Sequence, residues 1–155
     1  MANYRDLGIA DAPFVAGEDF SSCGLWQAVA PGSAAGEVIL AVGPSGNPWP
    51  IGVLQNNPCS SQEAEVRVLG FTKMKCRANA CGLAFGRWLI CASDGVGEPL
   101  LTEATAAVSG YSHGGSPVFA RYMDSGTVLA GGGSVIAQVQ IFSKIEGACG
   151  YMSAS

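Results

Sequence analysis

The chain has 155 residues, a formal net charge of −4 and a charged fraction of only 13%. This length suits one domain with a real apolar core. Its few basic residues are scattered, which argues against nucleic acid as the main partner because phosphate binding needs clustered Lys and Arg. No apolar run reaches the ~18 residues of a membrane span. No secretory signal is visible, so we expect synthesis in a reducing cytoplasm.

The low charge has two interpretations. The charged fraction is about half the usual share, and the cores of protein interfaces are depleted in charge in the same way. Part of the surface is therefore predicted to be covered by another protein. The alternative is a surface made simply of Gly, Ala and Ser, with no partner implied.

The first twenty residues carry three aromatic side chains but no clean period. Glycines and a proline break any helix there. A tail that stays free is usually polar, whereas this one contains Tyr4, Phe14 and Phe20. We therefore predict an N-terminal arm over residues 1–20 that docks on another surface through those three aromatics.

Strand signals follow one another from residue 25 onward. The apolar or alternating runs are short, and turn clusters rich in Gly and Pro separate them. The pattern predicts an all-β domain over residues 21–143, a single small barrel or sandwich, followed by a tail over 144–155. The predicted strands are 25–30, 37–42, 51–55, 63–76, 88–93, 118–123 and 134–142.

Residues 63–76 give the clearest strand signal. Even-numbered positions from Ala64 to Cys76 are small or apolar, whereas odd-numbered positions include the charged residues. A period of two predicts a strand with one buried face. A slip of one residue would bury Glu63, Glu65 and Arg67, so the register is firmly specified. Gly70 in the middle predicts a bend or bulge.

No residue pattern indicates catalysis, a metal or a cofactor. The six cysteines fit no zinc spacing and are interpreted as small buried fillers. Gly110–Gly114 matches the G-x-S-x-G motif of serine hydrolases, with Ser112 as the candidate nucleophile. The only histidine is His113, inside the motif, so the later His of that fold is missing. We therefore expect no enzyme, with a hydrolase as the weakest alternative.

The three tryptophans are candidate anchors. Trp26, Trp49 and Trp88 are interpreted as core or interface residues. An aromatic ring is also able to stack on a sugar, so a glycan-binding module remains an alternative. Nothing in their spacing favours it.

Several segments together resemble a family of tailed-phage capsid cement proteins, also called head decoration proteins. The central stretch, 51–58 followed by 64–73, carries most of the resemblance. In the family, a small residue is followed by Gly, an acidic residue and Leu-Leu, and an Asp-Gly pair comes later. The segments 84–89 and 93–95 are similar to this pattern, although Arg87 stands where the family often has the acidic residue. The segments 118–123 and 135–142 are similar to its terminal strand pair.

The resemblance implies an all-β protein on the exterior of a phage head, with no catalysis and no cofactor. It implies the major capsid protein as a partner and a homotrimer as the assembled form. The acidic balance suits an outer face, because an inner face meets packaged DNA. On this interpretation the aromatics of the predicted arm contact the capsid or a neighbouring copy. The alternative is a glycan- or surface-binding module of a phage fibre.

Overall fold

The computed structural model describes residues 10–42, 50–99, 119–131 and 133–141. Every regular element in these ranges is a β-strand, which confirms the prediction of an all-β fold. No helix in them is long and apolar enough to cross a membrane. The strands are β1 Ala10–Ala16, β2 Ala28–Pro31, β3 Glu37–Leu40, β4 Gly52–Leu54, β5 Glu63–Arg77, β6 Trp88–Cys91, β7 Gly97–Pro99, β8 Ala120–Tyr122 and β9 Ser134–Ile141.

The first five strands close into a small barrel, called the first barrel below. Its order is β1-β3-β2-β4-β5, and pairing of β1 with β5 closes the ring. β1 and β3 run parallel, while the other neighbours are antiparallel. Closure gives partners to backbone groups that would otherwise be exposed at two sheet edges.

The remaining strands form a second closed ring with the far half of β5. In this second barrel the order is β5-β7-β6-β8-β9, and β9 returns to pair with β5 from Gly70 to Arg77. The contact between β5 and β7 is one parallel pair, Cys76 with Gly97. β5 is therefore shared, its first half by one barrel and its second half by the other.

The alternation of β5 behaves as its sequence predicts. Ala64, Val66, Gly70, Thr72, Met74 and Cys76 are buried, and the other residues of β5 are exposed or half-buried, including Val68 on the predicted buried face. Gly70 has a φ of +97°, which confirms the predicted irregularity. It lies where β5 changes partners, since Leu69 pairs with β1 and Gly70 pairs with β9. Glycine adopts this left-handed backbone without the steric cost that a side chain would add.

Two apolar cores lie side by side, with β2 and β4 between them. On β2, Val29 belongs to the first core, whereas Ala28 and Ala30 belong to the second. On β4, Leu54 belongs to the first core and Val53 to the second. Both faces of these short strands are buried, so their sequences are continuously apolar and do not alternate. The first core contains Ala16, Phe20, Val29, Val38, Leu54, Ala64 and Val66.

The second half of the predicted N-terminal arm is part of the folded barrel. Residues 10–16 form β1, which pairs with both β3 and β5. Residues 1–9 lie outside the described ranges, and the predicted boundary at residue 20 does not separate an arm from the sheet. The cause is the apolar side chains themselves, because Ala16 and Phe20 are buried in the first core.

The described cysteines divide into a buried and an accessible set. Cys76 and Cys91 are buried, as expected of small apolar fillers, whereas Cys23 and Cys59 are exposed and Cys81 is half-buried. Burial raises the pKa of the Cys76 thiol to about 12. The thiolate is the reactive form of cysteine. Cys76 is therefore protected from thiol reagents in two ways, because it is buried and because it stays protonated.

Thiol labelling is expected to separate these two sets. Treatment of the native protein with iodoacetamide at about pH 8 should modify Cys23 and Cys59 and leave Cys76 and Cys91 unmodified. The same treatment in a denaturing concentration of urea is the control, and it should modify all of them. Peptide mass spectrometry reads out each site. Modification of Cys76 in the native protein at the rate of Cys23 would contradict the described core.

Candidate functional surface

Exposed apolar side chains are concentrated on the second barrel. Leu129 and Phe85 have the largest exposed fractions, 76% and 66%. Both lie on loops that meet at a bridge between Leu83 and Val128. The other exposed large apolar side chains of the second barrel are Phe71, Trp88 and Ile136. Outside the second barrel, the described residues include only two such side chains, Val15 and Val42.

Four outward side chains form a continuous row across four strands. Trp88 on β6 is directly opposite Arg121 on β8. Arg121 is opposite Gln140 on β9, which is opposite Phe71 on β5. We call these four residues the aromatic row, since a partly exposed aromatic ring stands at each end: Trp88 is 40% exposed and Phe71 is 42% exposed. Strands spaced about 4.8 Å apart make the row roughly 14 Å long.

One end of the row is held by a cation–π contact. The guanidinium carbon of Arg121 lies 4.9 Å from the centre of the Trp88 ring. Arg121 Nε also donates a hydrogen bond to the carbonyl oxygen of Gly86, at 3.0 Å. The same short turn contains Phe85, whose side chain is 66% exposed. Stacking and the hydrogen bond restrict the Arg121 side chain before any partner arrives.

The other end of the row opens onto a shallow groove between β5 and β9. Its volume is about 390 Å³. Phe71 and Ile136 supply apolar walls, while Lys73, Asp124 and Gln138 supply polar groups. The groove therefore offers an apolar surface, both signs of charge and an amide within a small area.

The basic residues of β5 have partners within the chain. Lys73 Nζ lies 5.3 Å from the centre of the Trp26 ring, and Lys75 Nζ donates to the carbonyl oxygen of Cys23 at 2.6 Å. Arg77 forms ion pairs with Glu98 and Asp94. The hydrogen bond to Glu98 is the main cause that raises the pKa of the Arg77 guanidinium, and the hydrogen bond to Asp94 is the second. This stretch therefore holds the fold together and does not form a cationic patch for phosphate.

The three predicted contact residues are not brought together as one exposed group. Tyr4 lies outside the described residues. Phe14 is half-buried and packs against the first core. Phe20 is only 3% exposed, and its backbone N–H donates to the carbonyl oxygen of Pro58. The ring of Phe20 is used by the interior of its own barrel, so its surface is not available to a partner.

The tryptophans have different roles in the structure. Trp26 packs against the second core, and its ring is covered by Lys73. Its backbone ties the barrels together, because its N–H donates to Leu54 and its carbonyl accepts from Lys75. Trp88 lies on the surface, in the aromatic row. Trp49 lies outside the described residues, as do Ser112 and the rest of the motif at 110–114.

The surface is suited to binding. Arginine and large aromatic side chains are the residue types that contribute most to binding at protein interfaces. Within the described ranges, no three His, Cys, Asp or Glu side chains lie close enough together to hold a metal ion.

Three members of the aromatic row, Phe71, Arg121 and Gln140, are absent from the contact and anchor residues predicted from sequence. Arg121 pairs with Trp88 across strands that are far apart in the chain, so no local pattern reveals it. Phe71 gives a stronger signal, because it occupies an odd position of β5 among charged residues. An aromatic ring on the solvent face of an alternating strand is the pattern that would have identified it.

Comparisons with known proteins identify a shared fold. Neither family models nor curated protein sequences match this chain. Among solved structures, it is similar to the N base of the head fiber protein gp8.5 of bacteriophage phi29. The TM-score is 0.53 at 13% sequence identity, and the match covers 86% of this chain and 94% of that chain. At this identity the likeness shows the fold alone.

Proposed function

We propose that this chain is a structural protein attached to the exterior of a bacteriophage head. The observation that carries the proposal is the fold shared with the head fiber base of phage phi29 over nearly the full length of both chains. The resemblance of residues 51–58 and 64–73 to head decoration proteins points to the same class of role. On this proposal the chain has no catalytic function.

The finer proposal is that the protein cements the head lattice. Its partners are the major capsid protein and further copies of itself, assembled as a trimer. A rigid clamp that touches several capsid subunits must detach before those subunits separate. Several modest contacts in one body raise avidity by about 10²–10⁴ over a single contact. The exposed apolar and aromatic surface of the second barrel supports such a docking role.

The test is to add purified protein to heads that lack it, from the phage whose genome encodes the chain. We expect the protein to sediment with the heads, and cryo-electron microscopy should show added density on the outer surface near three-fold positions. Decorated heads should also keep their DNA at a higher temperature than undecorated heads. Added density without this thermal protection would support attachment and contradict cementing.

A fibre module that binds glycans is the second candidate. The groove beside Phe71 favours it, since an aromatic wall with an amide and a carboxylate nearby suits a sugar ring. A glycan array probed with the purified protein distinguishes the two functions. Binding to a defined glycan, together with no attachment to heads, would favour the fibre module over the head protein.

A further inference from the structure

Two segments of the second barrel contain no charged residue and lie together. They are residues 78–86, which follow β5, and residues 125–133, which lead into β9. Arg77 at the end of β5 pairs with Ser134 at the start of β9, so the two segments meet the barrel at the same end. The structure describes all of these residues except Gly132. We call the described ones the uncharged tip.

The uncharged tip is both accessible and apolar. Among the described residues, Leu129 and Phe85 are the two most exposed large apolar side chains, at 76% and 66%. All residues of the tip other than Ala78 and Leu83 are exposed or half-buried. Single apolar side chains on a surface need no explanation, whereas neighbouring ones on a surface without charge indicate a contact with another molecule.

The two segments hold each other in place. The backbone N–H of Leu83 donates to the carbonyl oxygen of Val128 at 2.8 Å, and the N–H of Val128 donates to that of Leu83 at 3.0 Å. A Cβ atom on Gly82 would lie 2.7 Å from the carbonyl oxygen of Val128, so the backbones are in close contact. The Tyr122 hydroxyl also donates to the carbonyl oxygen of Gly126 at 2.9 Å. A surface fixed in this way loses little conformational entropy when it binds.

The chemistry of the tip favours a second copy of the chain as its partner. Interfaces between identical subunits are more apolar than transient interfaces, and the cores of interfaces are depleted in charge. Each copy carries a net charge of −4, so two copies repel one another. A contact through surfaces without charge keeps that repulsion small, because the charges of the two copies stay apart.

The size of the tip indicates a weak contact. It offers about fifteen accessible residues, whereas a specific interface of standard size uses about 20–30 residues on each side. Association in solution is therefore expected only at high protein concentration. Copies that are held close together on one support have a much higher effective concentration, and there a weak contact is sufficient.

We propose that the uncharged tip is the surface through which one copy of the chain contacts another, with Phe85 and Leu129 as its apolar anchors. The inference rests on the proposed function, in which further copies of the chain are partners. It names the surface that those copies use.

The first experiment measures self-association of the full chain without heads. Sedimentation equilibrium is recorded from roughly 10 μM to roughly 1 mM protein, the range of a weak contact. We expect the average mass to rise above that of one chain within this range. Added salt should strengthen the association, because it screens the repulsion between the two net charges. A single chain at every concentration would overturn the proposal.

Variants then assign the association to the tip. Phe85→Ser and Leu129→Ser should each weaken it about tenfold, the factor that corresponds to 1.4 kcal/mol. Both side chains are exposed, so the variants should melt at the wild-type temperature. Val42→Ser is the matched control, since Val42 is apolar, 42% exposed and outside the second barrel. An unchanged association constant in the folded double variant, or an equal loss in Val42→Ser, would overturn the proposal.

Heads provide the second experiment and separate this inference from the proposed function. If the protein attaches to heads and the double variant leaves both the affinity and the density between neighbouring copies unchanged, the tip contact is wrong while head attachment stands. If the protein ignores heads but associates through the tip in solution, the tip contact stands and head attachment is wrong. Density that joins two tips and disappears in the double variant supports both. Density that seats the tip on capsid protein would overturn the second copy as the partner.

Discussion

Deletion of residues 1–20 is expected to abolish cooperative folding of the first barrel. β1 pairs with β5 from Ala10 to Val15 and closes the ring. Its removal exposes the edge of β5, and the loss of Phe20 empties part of the first core. Loss of one buried Phe side chain costs about 3–5 kcal/mol, and a whole domain is stable by only about 5–15 kcal/mol. Because a complete strand is lost as well, we expect the deletion to remove most of the free energy of unfolding.

A shorter deletion is the matched control. Removal of residues 1–9 leaves β1 and Phe20 in place, so this variant should unfold cooperatively close to the wild-type temperature. Circular dichroism melts and size-exclusion chromatography measure both variants, and we expect aggregation or a lost transition only for the longer deletion. A folded, monodisperse chain without residues 1–20 would restore the interpretation of this segment as a docking arm outside the folded domain.

The long strand shows what a sequence pattern is able to predict. The alternation over 63–76 identifies β5, its buried face and the break at Gly70, because each depends on neighbouring residues only. The other predicted strands also overlap observed ones, since turn clusters separate them. β7 is missed because its sequence, Gly97-Glu98-Pro99, consists of residue types that are depleted in strands.

β1 is missed for a different reason. Its exposed and half-buried residues alternate, but the half-buried ones include two alanines, so the contrast in hydrophobicity is low. Pro13 also argues against a strand, because proline cannot donate a hydrogen bond to a neighbour. The structure accommodates it since β1 pairs with β3 only at Val15 and Ala16, so Pro13 has no partner on that side.

The candidate surface depends on contacts that no local pattern encodes. Trp88 is visible in the sequence as a possible anchor, but its stacking partner Arg121 is 33 positions later and is placed there by the pairing of β6 with β8. The burial of Phe20 is equally non-local, because it depends on how the first barrel closes. An aromatic residue in a segment without a period therefore gives no indication of whether its ring lies inside or outside.

Gly52→Ala is expected to destabilise the protein by about 3 kcal/mol or more, at the upper end of the cost of overpacking a core. Gly52 lies on β4, where a Cβ atom would come within 2.3 Å of the backbone oxygen of Arg67 and 2.6 Å of a methyl carbon of Val66. The nearest obstacle is backbone of β5 and not the flexible end of a side chain. β4 must therefore move away from β5, which weakens their pairing and opens both cores that β4 separates.

Gly133→Ala is the control for this substitution. A Cβ atom at Gly133 meets nothing within 4 Å, so the same chemical change is expected to leave the midpoint of urea unfolding nearly unchanged. The Gly52→Ala variant should unfold at a clearly lower urea concentration or fail to fold. An equal midpoint for the two variants would mean that β4 and β5 are not packed as closely as described. The two variants together therefore test whether close backbone packing is the physical reason for a glycine at position 52.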